Sequence, residues 1–537
     1  MATDDLVDVA VVGLGPVGIT LAGLLGRAGL RVLAVDKAPD VYAQPRAVGF
    51  DHDAMRIFQR LGVADAIGPH VAPFREGEYR GADGRVIQRV VHMPPPYPQA
   101  WPPHFTCDQP GLEDVLRAAV TAMPSVRVAL GVALVDFRDE GETVALQFAD
   151  AQGDRSACRA RYLVACDGGS SPVRRALGVS MQSLEYDQAW IVVDVKVDDP
   201  AALARLPVVN VQYCEPERPS TFINCPGNHR RWEFMVLPGE PVEGVITEAR
   251  LWQLLGRWLR PGEARIWRSA AYRFHALIAD EWRRGRVLLA GDAAHMTPPF
   301  LGQGMCQGLR DAGNLAWKLG QVVGGAAGDW LLDTYAAERR PHVTETTRIA
   351  KEFGRIISER DPERARARDA RLRDGDGRPR TLLRQELIPG LCAGLVSRSA
   401  PLAGRVFPQP MVDAADGTAA RFDDVTGAVW RLVLVATGAA RDAAAPDRFA
   451  DVIASARSHA IATIVVADRG PAAVPAGTVV VTERDRLLAE WLAAAGCCGA
   501  LVRPDHYVFG GFADPDGARA AIDELAAAAH RKAGEAG

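Results

Sequence analysis

The chain has 537 residues, 48% hydrophobic and 24% charged, with a formal net charge of −4 at neutral pH. This is the usage of a soluble globular protein and excludes a disordered or fibrous chain, while the length exceeds one ordinary core and predicts two or three domains. So small a net charge gives no reason to expect nucleic acid or an anionic membrane as a partner.

Residues 9–26 are the one uncharged stretch that approaches a membrane span in length. Five glycines and Pro16 interrupt it, and acidic rather than basic residues precede it, so neither a span nor a signal peptide is expected. The alternative is a strand at 9–12, a helix at 16–28 and a strand at 31–35, a β-α-β unit whose crossover makes the strands parallel. Gly13, Gly15 and Gly18 stand at the G-x-G-x-x-G spacing between the first strand and the helix. The first permits a tight turn, the second lets backbone approach a pyrophosphate, and the third lets helix pack on strand. Pro16, followed by Val17, suits the first helical turn, where a missing N–H costs nothing. Asp36 ends the second strand, where its carboxylate can accept from ribose hydroxyls. Together these predict dinucleotide binding.

A helical pattern at 52–61 closes at Gly62, and a proline-rich stretch around 94–103 reads as irregular. A helix at 111–122 and strands at 127–137, 143–148 and 161–165 return to the first unit. From 179 to about 275 the pattern becomes β-runs, at 190–197, 208–213 and 231–237, which predict an inserted antiparallel sheet. A buried strand at 286–289 and a long helix at 304–323 follow, then a helical region at 333–359. The charge-dense run 360–380 carries both signs and reads as a solvated helix or linker. Beyond residue 401, strands at 429–435, 460–466 and 478–481 alternate with helices at 450–457 and 485–495, before a hairpin at 500–510 and a helix at 516–529. The expected division is therefore 1–178, 179–275, 276–400 and 401–537. The nine cysteines include no C-x-x-C pair and no metal-ligand spacing, so reduced, buried thiols, no metal and a cytoplasmic location are expected.

Two further segments separate one dinucleotide from another. The run Asp167-Gly-Gly-Ser-Ser-Pro-Val-Arg174 resembles the D-G-x-x-S-x-V-R element of flavoprotein hydroxylases. Gly291-Asp292, followed by Ala-Ala-His295 and the loop Pro298-Pro-Phe-Leu-Gly-Gln-Gly304, resembles their G-D element and flavin loop. The chain thus resembles class A FAD-dependent aromatic hydroxylases of the para-hydroxybenzoate hydroxylase type. Gln212-Tyr-Cys and Gly227-Asn-His-Arg-Arg-Trp-Glu-Phe234 are similar to the 3-(3-hydroxyphenyl)propionate hydroxylase subgroup.

That resemblance implies a mixed α/β (α+β) protein: a Rossmann-like FAD-binding domain, the inserted sheet as substrate domain, and a thioredoxin-like C-terminal domain that lacks C-x-x-C. It implies cofactor contacts at Asp292 and at the loop residues Pro299, Gly302, Gln303 and Gly304, beside those of the glycine motif and Asp167. It adds Lys37, Arg46, Gln109 and Val132. No second G-x-G-x-x-G follows a strand, which accords with a family that has no separate nicotinamide domain and takes NADH or NADPH as co-substrate. The implied reaction hydroxylates a phenol with dioxygen through a flavin C4a-hydroperoxide. A 3-(3-hydroxyphenyl)propionate-like acid is the leading substrate, a polycyclic aromatic polyketide the alternative, and a non-catalytic flavin-binding redox sensor the reading from another class. His295 reads as a base beside the flavin or, preferably, as part of the motif's turn. Gln188, Trp190, Tyr213, Phe234 and Pro298 are candidates to line the substrate cavity, and Arg230 or Arg231 to meet a carboxylate. The partners expected are the small aromatic substrate, dioxygen and a second copy in a homodimer.

Overall fold

The computed structural model describes residues 6–241, 244, 246–437, 442, 444–468 and 474–533. After Asp8 the first strand has no polar side chain to show to water, and Val9, Ala10 and Val11 are fully buried. A strand buried on both faces suits the interior of a parallel sheet. Leu6–Val12 accordingly lies between Val32–Asp36 and Arg155–Ala165, parallel to both, with Val126–Leu130 and Val287–Leu289 continuing the sheet on either side. The expected strand at 127–137 is broken at Gly131, whose φ of +69° turns the chain into a second strand, Val132–Asp139. The helices Pro16–Arg27 and Gly304–Val323 pack against each other over this sheet.

The second sheet has nine strands in the order His295–Met296, Ala264–Ala279, Met181–Val197, His229–Met235, Ser220–Asn224, Asn210–Tyr213, Gly77–Arg80, Val86–Val91, Arg380–Leu383. It is therefore built from more than the inserted segment. Two strands come from the region ahead of the prolines, His295–Met296 from the turn after Asp292, and Arg380–Leu383 from the end of the charge-dense run. That run also departs from a merely solvated helix. Pro362–Leu372 is helical, but Arg368 and Asp369 are buried, with Arg368 donating to the carbonyls of Ile356 and Cys214 and Asp369 accepting from the Ala82 N–H. Buried charges survive here because each is hydrogen-bonded.

The third sheet, of seven strands, lies in the C-terminal part. Arg431–Ala436, Ala462–Ala467 and Val479–Glu483 run parallel, and Gly499–Val502 and Val508–Phe512 add an antiparallel hairpin. All nine cysteines are unpaired; seven are buried as expected, but Cys166 is half-buried and Cys392 exposed. No helix among the described residues is long and apolar enough to cross a membrane.

A buried ionic joint fixes the C-terminal sheet to the rest. Glu338, in the helix Trp330–Ile357, accepts at 2.7 Å from each of Lys318 Nζ, Asn314 Nδ2 and Arg503 Nη2, and from the Leu395 N–H at 2.9 Å. Burial alone would raise its carboxyl, but the charges of Arg503 and Lys318 outweigh that and hold it at about 2. Removing one partner of such a network strands the others, at a cost of about 3–5 kcal/mol. Glu338→Ala should therefore lower the thermal unfolding midpoint by several degrees; an unchanged midpoint in calorimetry would show that the joint carries no load.

Candidate active site

The glycine loop divides its residues by direction. A Cβ on Gly13, whose φ is +92°, would strike the Cys166 carbonyl, and one on Gly18 would strike the carbonyl of Gly13. These two are packing glycines. A Cβ on Gly15 would meet nothing within 4 Å, so its backbone is open to the cavity at the N-terminus of a twelve-residue helix, with Pro16 in the first turn. Asp36 accepts from the Leu14 N–H at 2.6 Å and the Ala38 N–H at 2.8 Å, bracing the loop. The Gly131 N–H donates to Ala38 O, which brings Val132 alongside, while Lys37 is exposed. Arg117, which the sequence reading missed, reaches in from the neighbouring helix. Its Nη2 donates to Leu14 O at 3.2 Å, and its Nε and Nη1 are buried with no hydrogen-bond partner among the described residues. Unsatisfied guanidinium donors beside an open helix N-terminus are what a pyrophosphate would complete.

One carboxylate organises the other side. Asp311 Oδ2 accepts from the Gly291 N–H at 3.0 Å and from His295 Nε2 at 2.7 Å, while Oδ1 accepts from Arg339 Nε at 2.9 Å. Burial acts to raise its carboxyl, but the charges of His295 and Arg339 overcome that and lower it. His295, fully buried against Trp282, thus braces the turn and does not face the cavity; Pro298 beside it is likewise buried behind the wall. Asp292, the next residue, does face the cavity, and its carboxylate has no hydrogen-bond partner among the described residues. Withdrawal from bulk water raises its carboxyl. Arg174 ties the two motifs together, donating to Ala293 O at 2.9 Å and Gly169 O at 2.8 Å. Asp167 accepts from the Val173 N–H at 3.1 Å.

The flavin-loop segment ends at the start of the helix Gly304–Val323. A Cβ on Gly304 would meet nothing within 4 Å, so the helix opens its unpaired N–H groups to the cavity. Gln303 faces away, donating to Asp51 Oδ2 at 2.9 Å and accepting from Arg310, which also bonds Asp51 and Asp53. Gln109 acts at one remove. Its Oε1 accepts from the N–H groups of Arg46 and Ala47, so it shapes the backbone that carries Arg46 on the cavity wall.

The cavity, of about 470 Å³, joins these loops to one face of the nine-stranded sheet. Strand parity decides which side chains line it. Gln212, Thr221, Arg231 and Glu233 point in, whereas Tyr213 and Phe234 point to the opposite face and pack with Trp258 under the helix Glu248–Leu255. Those two expectations are corrected by one residue of register. Gln188 and Trp190 lie behind the lining: Trp190 stacks on Phe274 and meets Phe300 edge-on, and Gln188 holds Trp190, Tyr186 and Ser358. Arg231 is not free for a carboxylate, and Arg230 does not line the cavity. Arg231 is spent on Asp194 and on the carbonyls of Pro45 and Arg46, and Arg230 on those of Cys225, Gly227 and His229.

A further cation that faces the cavity is Arg384, just beyond the last strand of the nine-stranded sheet. It donates to Leu301 O at 2.6 Å, and among the described residues no carboxylate pairs with it. His104 lies beside it across Gly302; burial and then the charge of Arg384 push its imidazole well below the usual range, so it is neutral. Neither residue belongs to a motif, and nothing in the sequence pattern signalled them.

Comparison with known proteins agrees with this geometry. Residues 6–350 match the family described as FAD binding domain, and residues 404–528 match the HcaD C-terminal domain. The chain is 36% identical over 509 residues to a probable NADH-specific resorcinol 4-hydroxylase of Rhodococcus jostii, covering 94% of this chain and 92% of that protein. It is 37% identical to a 3-(3-hydroxy-phenyl)propionate/3-hydroxycinnamic acid hydroxylase of Mycobacterium avium, over 81% of this chain and 77% of the other. Among solved structures, the flavin-dependent monooxygenase PieE in complex with FAD and substrate superposes with a TM-score of 0.78 at 21% identity, covering 98% of this chain and all of that one.

The open and packed glycines make separable predictions. Gly15→Val should leave the thermal midpoint of the flavin-free protein within about 1 °C while weakening FAD binding at least tenfold, because the added atoms meet only ligand space. Gly18→Val should lower the midpoint itself. Calorimetry and FAD titration check both, and equal behaviour of the two variants would contradict the assignment.

Proposed function

The chain belongs to the FAD binding domain family of aromatic hydroxylases, and on that premise we propose that it hydroxylates a monoaromatic phenol at the expense of NADH or NADPH and dioxygen. The observation that carries this reading is the single cavity that runs from the phosphate loop and Asp292, past the open helix start at Gly304, into an aromatic-walled pocket on the sheet. FAD, when bound, supplies hydride acceptance and dioxygen activation, chemistry that no side chain here provides.

The residues of the chain fit that group and its substrate. Arg117 and the backbone at Gly15 offer donors to a pyrophosphate, and the unpartnered Asp292 carboxylate accepts from a hydroxylated chain. The helix start at Gly304 stabilises negative charge that develops beside it. Phe74, Tyr79, Phe274 and Phe353 hold an aromatic ring and keep water out. Arg384 puts a positive charge without a carboxylate partner among the described residues on the wall, which favours the ionised, electron-rich form of a phenol, while His104 beside it is held neutral. His295 braces the turn through Asp311.

The relatives' names supply two kinds of candidate substrate, resorcinol and the side-chain acids 3-(3-hydroxyphenyl)propionate and 3-hydroxycinnamic acid. Both are phenols with a second polar group meta to the hydroxyl, and that shared feature defines the proposed substrate class. For the C-terminal part, a thioredoxin-like fold without redox function is proposed. Three parallel strands followed by an antiparallel hairpin support it, and its adjacent cysteines, Cys497 and Cys498, are both buried. Its service is to hold Glu338 and the helices around the flavin loop.

The reading is tested by NAD(P)H consumption of the FAD-loaded protein with resorcinol and with 3-(3-hydroxyphenyl)propionate, the products being analysed for an added ring hydroxyl. Stimulated consumption matched by hydroxylated product is expected. Consumption that yields only hydrogen peroxide with both compounds would contradict the proposal.

A further inference from the structure

The wall of the cavity contains one polar row that the reading above leaves unused. Glu233, Thr221 and Gln212 lie directly opposite one another on three adjacent strands. Side chains so placed are about 5 Å apart and form a continuous strip. The Thr221 hydroxyl donates to Gln212 Oε1 at 2.5 Å, which fixes the direction of the strip. Gln212 Nε2 keeps its N–H groups, Thr221 keeps an acceptor lone pair, and no hydrogen-bond donor among the described residues reaches the Glu233 carboxylate. Glu233 is only 5% exposed, yet it lines the cavity. A buried carboxylate without a donor is costly, and a ligand that brings one removes the cost.

The charges around this strip already balance. Arg231 approaches Glu233 at 4.0 Å but is committed to Asp194, which also holds Arg268 at 3.4 Å. His229, also on Asp194, has its basicity lowered by burial. Two guanidinium groups thus face two carboxylates around this strip, so a third carboxylate placed against it would find no uncommitted charge there. Of the other cations on the wall, Arg273 is paired with Asp187, and Arg46 and Arg384 lie on segments outside the row formed by Glu233, Thr221 and Gln212.

We infer that Glu233, supported by Thr221 and Gln212, is the specificity-determining residue of this pocket: it accepts a hydrogen bond from a second, neutral hydroxyl on the substrate ring and turns away rings that carry a carboxylate side chain. Burial raises the Glu233 carboxyl to about 6, with Arg231 opposing, so it is mainly ionised at neutral pH and acts as an acceptor. The inference rests on the phenol hydroxylase reading and decides between its two kinds of candidate substrate.

The test compares 1,3-dihydroxybenzene with 3-(3-hydroxyphenyl)propionate in the FAD-loaded full chain, by steady-state turnover and by calorimetric binding, for the unaltered protein and for Glu233→Gln and Glu233→Ala. The diol should be preferred at least tenfold in kcat/KM and in affinity. Both variants should shrink that preference at least tenfold, through a higher KM for the diol and a lower one for the acid, with kcat less affected. Tighter binding of the acid to the unaltered protein, or variants that change both compounds alike, would overturn the assignment. Binding of the diol through Glu233 without any turnover would overturn the hydroxylase reading and leave the site standing; failure of both compounds to bind would overturn both.

Discussion

Asp311 is the constraint on which the cofactor side of the molecule depends. It is fully buried in the helix that begins at Gly304, yet it binds the backbone of Gly291 and the side chain of His295, in one turn, and the side chain of Arg339, in a second long helix. A charge so placed is tolerable only while its partners stay. The penalty for losing them fixes the turn that presents Asp292, the helix start that presents Gly304, and the second long helix behind both. The same helix carries Arg310, locked to Asp51 and Asp53, and Lys318, locked to Glu338. One helix therefore spends its charged residues inward, and the flavin loop at its start inherits the rigidity.

The substrate side is built on a different principle. There the sheet sets positions by alternation, so a wall of aromatic rings and one polar strip face the cavity while a separate apolar core fills the other face. A sheet face is a good place for specificity, because its side chains are held in fixed rows and a single substitution changes the pocket without disturbing the loops. Buried ion networks thus hold the loops at one end of the cavity, and a sheet row forms its wall at the other.

What the sequence revealed follows the same line. The glycine spacing, Asp36, the Asp167 to Arg174 run and the Gly291-Asp292 pair were legible because backbone geometry demands particular residues at short range. The substrate wall was not. Tyr213 and Phe234 were chosen for their aromatic character, but their neighbours Gln212 and Glu233 point inward, since register is settled by pairing across the sheet. The strands Gly77–Arg80 and Val86–Val91 were missed because they are short and mix polarity. Arg117, His104 and Arg384 act across long sequence separations that no local pattern records. Arg231 looked free for a substrate because its partners, Asp194 and the carbonyls of Pro45 and Arg46, lie elsewhere in the chain.

The central claim, that Asp311 sets the cofactor loops, is tested most directly by the FAD dissociation constant of Asp311→Asn, with hydrogen exchange followed across residues 288–306. The substitution keeps the size of the side chain but removes one of its two accepting oxygens and its charge. The account predicts FAD binding weakened at least tenfold, with faster exchange confined to the turn and the helix start. Unchanged affinity with exchange protection intact at Gly291 would contradict it.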